Sequence, residues 1–205
     1  MPSYQITPDT PLRLDMDEAE ALRRTPPSFR VKGMFISPMA RMLGDDWELA
    51  VKELSAPPRM GRYLPFTDYP QRDLVQLTYR LGRREYPNVG AFEMFRRFAQ
   101  RDFQTFAGST LGRIVLTSLA DPVAALLRFP DVYAKVAPGP WKISAKQLDA
   151  QRVVIEIDNH PGVWGSQVGQ VEAIAGGFGS RPELAIQVDH TDADQFNVRL
   201  EVHCT

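Results

Sequence analysis

Two periodicities divide this chain. From about residue 38 to residue 136, apolar residues recur every three or four positions, the spacing that places them on one face of an α-helix. After the Pro138-Gly139-Pro140 segment, apolar and polar residues alternate, which is typical of β-strands with one buried face. The second half therefore reads strand–strand–helix–strand–strand. This segregation predicts an α+β fold in which a helical N-terminal half packs on a twisted antiparallel sheet of about four to five strands, with a helix inserted between strand pairs.

The predicted elements can be placed along the chain from the pattern and the turn residues. Prolines interrupt residues 1–27, so we expect a loosely ordered segment there and a single α+β domain over residues 28–205. The predicted strands cover residues 28–36, 141–144, 151–157, 183–189 and 195–203. The predicted helices cover residues 14–24, 38–43, 46–54, 68–82, 88–107, 110–119 and 161–176, with another that begins at Asp121-Pro122. Small residues in the helix at 161–176 (Gly162, Gly165, Gly169 and Ala173) predict close packing against the sheet.

The segment 88–107 is unusual because it holds five of the eleven phenylalanines. One interpretation is a core helix that packs on the sheet. The other is the wall of an apolar ligand cavity between this helix and the sheet. Phe98 lies off the main apolar stripe, so we expect it to be exposed, where it could help to form a dimer face. The candidate ligand-binding residues are Phe92, Phe95, Phe103, Phe106, Trp141 and Trp164.

Composition and charge exclude several classes of function. Lysine and arginine number 24 against 25 aspartate and glutamate, so no net field attracts nucleic acid or an anionic membrane. No apolar run reaches the roughly 18 residues that a membrane span requires. The single cysteine and the lack of a recognisable signal peptide favour a cytoplasmic location.

Sites for chemistry are not evident in the sequence. Histidine occurs only at positions 160, 190 and 203, and no pair of histidines or cysteines has the spacing of metal ligands. No nucleophile motif accompanies Cys204, which we interpret as a free thiol at a strand end. We therefore assign no catalytic residue and no metal ligand, and an enzyme is the less favoured alternative.

Short motifs give the chain a resemblance to an uncharacterised paralogous family found largely in myxobacteria. These motifs are Val31-Lys32-Gly33-Met34-Phe35, Tyr86-Pro87, Arg97-Phe98-Ala99 and Gly108-x-x-Leu111-Gly112-Arg113. The resemblance covers about residues 29–202, nearly the whole chain. The order of elements is also similar to that of a wider group of haem–nitric-oxide-binding domains, vinyl-reductase-like domains and TRAPP-type tethering subunits. This second resemblance implies a ligand-sensing or protein-interaction domain.

The second resemblance implies haem as a cofactor, but the residues at the corresponding positions of this chain disfavour haem binding. Haem-binding members carry a Tyr-x-Ser-x-Arg triplet at a strand end, where this chain has Glu156, Asp158 and His160. Two of these residues are acidic and would repel a haem propionate. No histidine precedes His160, so the helical half offers no proximal ligand. We therefore expect no cofactor.

Two hypotheses for function remain. In the first, the protein is a non-enzymatic small-molecule-binding or sensor domain that holds an apolar ligand between the Phe-rich helix and the sheet. In the second, it is a scaffold or regulatory module with a filled core, which acts as a homodimer or with a protein partner.

Overall fold

The computed structural model describes residues 4–6, 16–58, 62–161, 163–190 and 196–205. The helices in these ranges are α1 (Glu18–Arg24), α2 (Gly33–Leu43), α3 (Trp47–Val51), α4 (Gln71–Glu85), α5 (Ala91–Gly108), α6 (Thr110–Thr117), α7 (Pro122–Leu127), α8 (Phe129–Val136) and α9 (Gly165–Gly177). The strands are β1 (Tyr4–Ile6), β2 (Arg30–Lys32), β3 (Asp68–Pro70), β4 (Lys142–Gln147), β5 (Arg152–His160), β6 (Glu183–His190) and β7 (Phe196–His203). None of the helices in the described ranges has the length and hydropathy needed to cross a bilayer.

The main sheet has five strands in the order β1-β6-β7-β5-β4. Strands β4 to β7 are antiparallel, and α9 connects β5 to β6, so the predicted α+β architecture with an inserted helix is confirmed. The inner face is apolar, as in the cross-strand pair Ile155 and Leu200, and both side chains are fully buried. The outer face is polar and carries an ion pair between Arg199 and Glu156. The short strand β1, which pairs in parallel with β6, comes from the segment predicted to be loosely ordered.

The predicted strand at residues 28–36 is wrong beyond Lys32, where the chain turns into α2. Phe35, Ile36, Met39 and Leu43 are buried, and their spacing is that of a helix face rather than a strand. Pro38 was expected to begin a helix but lies inside this one. The remaining strand, β2, pairs with β3 in a two-stranded sheet, so the helix expected from residue 68 begins at Gln71 instead.

Helices α5 and α9 approach each other at two glycines. A Cβ atom on Gly165 would lie 2.3 Å from the carbonyl oxygen of Phe92, and one on Gly169 would lie 2.1 Å from that of Arg96. These glycines were predicted to fit α9 against the sheet, but their close contacts are with the backbone of α5. The Arg96 Nε atom lies 2.6 Å from the Glu172 carboxylate across the same interface, and both side chains are largely buried. The interface therefore combines backbone proximity with a charge-assisted hydrogen bond.

Phe98 is buried with 3% of its surface exposed, so the expectation of an exposed dimer face at this residue is wrong. Its ring packs edge-on against Tyr86 at 5.8 Å between centroids, and the Arg101 guanidinium lies over it at 5.4 Å. The residue is off the stripe that faces α9, but α5 has neighbours on more than one side, because α2 and α4 also contact it. A prediction from one apolar stripe therefore misses the second buried face of this helix.

The Gly169→Ala substitution tests the α5–α9 contact. The added methyl group collides with the Arg96 carbonyl oxygen, so the helices must separate, and we expect a loss of about 1–3 kcal/mol in the free energy of unfolding. Urea denaturation monitored by circular dichroism measures this change.

Gly176→Ala is the matched control in the same helix. A Cβ atom at Gly176 has no neighbour within 4 Å, so the better helix propensity of alanine should leave stability unchanged or raise it by up to about 1 kcal/mol. Equal effects of the two substitutions would contradict the proposed role of Gly169.

Candidate functional site

Two adjoining cavities, each of about 60 Å³, lie among the helices. The Phe106 cavity is bordered by α5 to α9 and by Phe35 of α2, and the Phe95 cavity is bordered by α2, α4, α5, α8 and α9. The residues that border both are Phe35, Tyr133, Val136 and Gln170. The walls are largely apolar, and α5 contributes to both cavities, as the ligand-cavity interpretation expected. The opposite walls are helical, however, and β5 contributes His160 at its end.

The candidate ligand-binding residues fall into two groups. Phe103 and Phe106 border the Phe106 cavity, and Phe95 borders the Phe95 cavity. Phe92 and Trp164 instead pack edge-on against each other at 4.9 Å, outside both cavity linings.

Trp141 lies behind the cavity wall, with its ring 5.0 Å from that of Tyr133. Its indole nitrogen donates a hydrogen bond to the Ala137 carbonyl oxygen. The structure thus places three of the six candidates at the cavities, and the ligand-binding role of all six stays a prediction.

A buried polar chain runs from the sheet to the cavities. The His160 Nε2 atom lies 2.7 Å from Gln167 Oε1, and Gln167 Nε2 donates to the Tyr133 hydroxyl at 2.8 Å. A break in register between β5 and β7 at this point, together with a φ of 60° at Asn159, turns the strand end so that His160 is buried. Asparagine is among the residues that adopt this left-handed conformation most readily. The bend therefore connects the strand to the wall of the Phe95 cavity.

Burial keeps most of this polar chain uncharged. It lowers the pKa of His160 to about 4, although the hydrogen bond to Gln167 raises this pKa in part. At neutral pH the imidazole is therefore neutral, and its Nε2–H donates to Gln167 Oε1. Burial likewise raises the pKa of Tyr133, whose phenol stays protonated. Both groups act as hydrogen-bonding groups rather than as charges.

Asp102 is the charged exception at the Phe95 cavity. Burial raises the pKa of its carboxyl group to about 7, and the neighbouring Arg101 lowers it only in part. Arg101 is itself engaged, because its Nη1 atom donates to Glu85 at 2.8 Å. Close to neutral pH, the Asp102 carboxyl group therefore exchanges between its neutral and ionised forms.

Two amide oxygens at the cavities lack partners. Gln170 Oε1 and Gln71 Oε1 are buried, and no described residue donates a hydrogen bond to either. Gln170 borders both cavities, and Gln71 borders the Phe95 cavity. The Tyr133 hydroxyl accepts from Gln167, but its own hydrogen has no acceptor within the described part of the chain. Since buried polar atoms in folded proteins are nearly always paired, these groups are available to an occupant.

The sequence analysis missed Asp102, Tyr133 and Gln170. In the sequence, Asp102 resembles the many charged residues found on protein surfaces. It lies, however, four residues after Phe98 and four before Phe106, and both phenylalanines are buried. That spacing places all three on one side of α5 and was the available signal. Tyr133 and Gln170 carry no comparable signal, because their importance comes from the meeting of α8 and α9.

The described residues include no group of three histidine, cysteine, aspartate or glutamate side chains arranged to hold a metal ion. Cys204 is buried, and burial raises the pKa of its thiol. The polar groups at the cavities can donate and accept hydrogen bonds around an apolar body.

Comparison with solved structures places the fold among H-NOX domains. An H-NOX protein from S. oneidensis in the Fe(II)NO ligation state superposes with a TM-score of 0.64 at 17% sequence identity, covering 85% of this chain and 99% of that one. The Fe(II) unliganded H-NOX protein from K. algicida gives a TM-score of 0.61 at 15% identity, covering 85% and 96%. A structure described as probing the function of haem distortion in the H-NOX family gives 0.62 at 15% identity, covering 85% and 95%. The chain therefore has an H-NOX-like fold.

Sequence comparison supplies the family. No curated protein matches the chain significantly. A family model described as "Protein of unknown function (DUF2378)" matches residues 24–201, which span α2 to α9 and both cavities. This chain belongs to the DUF2378 family.

Proposed function

We propose that this protein is a small-molecule-binding domain of the sensor type, which holds a mainly apolar ligand in the Phe106 and Phe95 cavities. The observation that carries the proposal is the buried, unpaired Gln170 Oε1 at the junction of the two apolar cavities. An apolar cavity can stay empty, but a buried carbonyl oxygen without a partner is unfavourable by about 1–3 kcal/mol. A ligand with a polar group at this junction would relieve that cost.

The size of the cavities sets the scale of the ligand. Each has a volume of about 60 Å³, and they adjoin at four shared residues. An engineered apolar cavity of roughly 150 Å³ in another protein binds benzene. A single substituted ring or a short branched chain is therefore the appropriate class. The H-NOX-like fold supports a sensing role by analogy, because the matched S. oneidensis protein is described in a nitric-oxide-ligated state.

Haem, which the fold resemblance implies, does not fit the residues at these cavities. His160 is the histidine that borders them, and its Nε2 atom is already hydrogen-bonded to Gln167. The strand end that precedes it carries exposed acidic side chains, Glu156 and Asp158. Ligand pockets for larger molecules measure roughly 300–1,000 Å³, well above the volume of either cavity. We therefore propose a ligand other than haem.

The second candidate function is an interaction module with a filled core. Phe66 is 72% exposed and Leu64, two residues away, is 41% exposed, so this loop presents apolar surface that a partner could cover. A ligand-binding experiment separates the two functions, because a filled core takes up no small molecule.

Toluene is the probe for the cavities. We expect methyl resonances of Val136 and Ile174 to shift in an NMR titration, because both residues border the Phe106 cavity. Val136→Phe should abolish the shift at Ile174, since the added ring fills the junction. Because the ring enters empty space, the substitution should change the free energy of unfolding by less than about 1 kcal/mol, whereas overpacking a solid core costs about 1–3 kcal/mol.

Lys135→Phe is the matched control. It adds the same ring to α8, one residue away and on the exposed side, and should leave the toluene shifts of Ile174 unchanged. Absence of any shift in the wild-type protein would overturn the cavity proposal and favour the interaction module.

The haem prediction is tested by adding hemin to the purified protein. We expect no stoichiometric Soret band beyond that of free or loosely adsorbed hemin. A one-to-one complex with a sharp Soret band that is lost in His160→Gln would contradict the proposal and identify His160 as the ligand.

A further inference from the structure

A groove on the surface lies directly outside the Phe95 cavity. It has a volume of about 500 Å³ and runs between α2 and α5. The residues that line it are Pro38, Met39, Arg41, Met42, Phe98, Arg101, Asp102, Gln104 and Thr105. Its location gives the interior cavity a neighbouring route to solvent.

Two side chains separate the groove from the cavity. Phe98 and Asp102 border both spaces and stand four residues apart on α5. Phe98 is held between Tyr86 and the Arg101 guanidinium. Asp102 is partly exposed, and no described residue forms an ion pair or hydrogen bond with its carboxylate. The carboxylate is therefore the polar group at the boundary.

Several unpaired hydrogen-bond acceptors lie around the Phe95 cavity. Gln71 Oε1 and Gln170 Oε1 are buried without donors, and ionised Asp102 can only accept. The Tyr133 hydroxyl supplies an unpaired donor hydrogen beside them. An occupant that matches this set must donate several hydrogen bonds, and a positive charge on it would offset the carboxylate.

The aromatic rings at this cavity also favour a cationic ligand. Phe95, Phe98 and Tyr133 border the same cavity as Asp102. The faces of aromatic rings attract ammonium groups, and the attraction increases when the cation is desolvated. A carboxylate ligand, by contrast, would meet like charge at Asp102 and acceptors at the glutamines.

We propose that the two adjoining cavities recognise a small apolar primary amine, whose ammonium group pairs with Asp102 at the Phe95 cavity and whose apolar body lies among the aromatic rings. This inference rests on the proposed function, because it assigns the chemical class of the ligand for the same cavities. Asp102 is the residue that determines specificity, and the groove beside it is the entry route.

Four probes with the same ring and different head groups test the inference. They are toluene, benzyl alcohol, benzylamine and benzoate, titrated into the full chain at pH 8 and followed by NMR. We expect benzylamine to bind at least tenfold more tightly than benzyl alcohol, since a charge-assisted hydrogen bond is about twice as strong as a neutral one. Benzoate should bind most weakly.

Asp102→Asn should remove the preference for the amine, bringing benzylamine to within about twofold of benzyl alcohol. Asp158→Asn is the matched control, because it makes the same chemical change at an exposed residue of β5. It should leave the order of the four affinities intact.

The pH dependence of the wild-type protein gives a second readout that needs no variant. Burial raises the pKa of Asp102 to about 7, so the carboxyl group becomes protonated as the pH falls from 8 to 5.5. Benzylamine affinity should fall about tenfold over this range, while toluene affinity stays constant. The other titratable groups at the cavity and groove are His160, Tyr133, Arg41 and Arg101. His160 and Tyr133 stay neutral across the range, so the change reports Asp102.

The outcomes distinguish this inference from the proposed function. If toluene does not bind the wild-type protein, the proposed function fails together with the inference. If toluene binds but benzylamine shows no advantage, or keeps its advantage in Asp102→Asn, only the inference is overturned.

Discussion

The close approach of α5 and α9 is the contact on which the rest of this structure depends. Gly165 and Gly169 remove two side chains where the helices meet, and the ion pair between Arg96 and Glu172 holds the same interface in a largely buried setting. This geometry sets the position of the remaining side chains of α5. Four of its phenylalanines and Asp102 line the cavities on one side, and Gln170 of α9 borders both cavities on the other.

Electrostatics give the cavities their chemical character. A low-dielectric interior favours neutral groups, and His160 and Tyr133 conform to this rule by staying uncharged and joining through Gln167. Asp102 differs because burial penalises its charge and the neighbouring Arg101 compensates only in part. The carboxyl group and the unpaired amide oxygens give the proposed ligand its polar partners.

The fold and the site carry different information about function. The chain shares its architecture with H-NOX domains at sequence identities of 15–17%, a level at which packing is retained while most side chains differ. Function belongs to the side chains at a site rather than to the fold. Here the cavity walls provide a carboxyl group, a phenol and two amide oxygens, and the bordering histidine is already hydrogen-bonded. These groups are donors and acceptors of hydrogen bonds.

Local patterns in the sequence were enough to predict the order of elements, the α+β class and the inserted helix, because the periodicity of α5 or β5 depends only on residues near one another along the chain. The pattern failed at residues 33–36, where four residues fit either a strand or a helix and the contact of Gly33 with the chain near Leu64 decides in favour of α2. The cavities, the burial of Phe98 and the environment of Asp102 were decided only by the tertiary structure. Each of them depends on which faces of distant helices meet, and a periodicity shows that a face is buried without showing what lies against it.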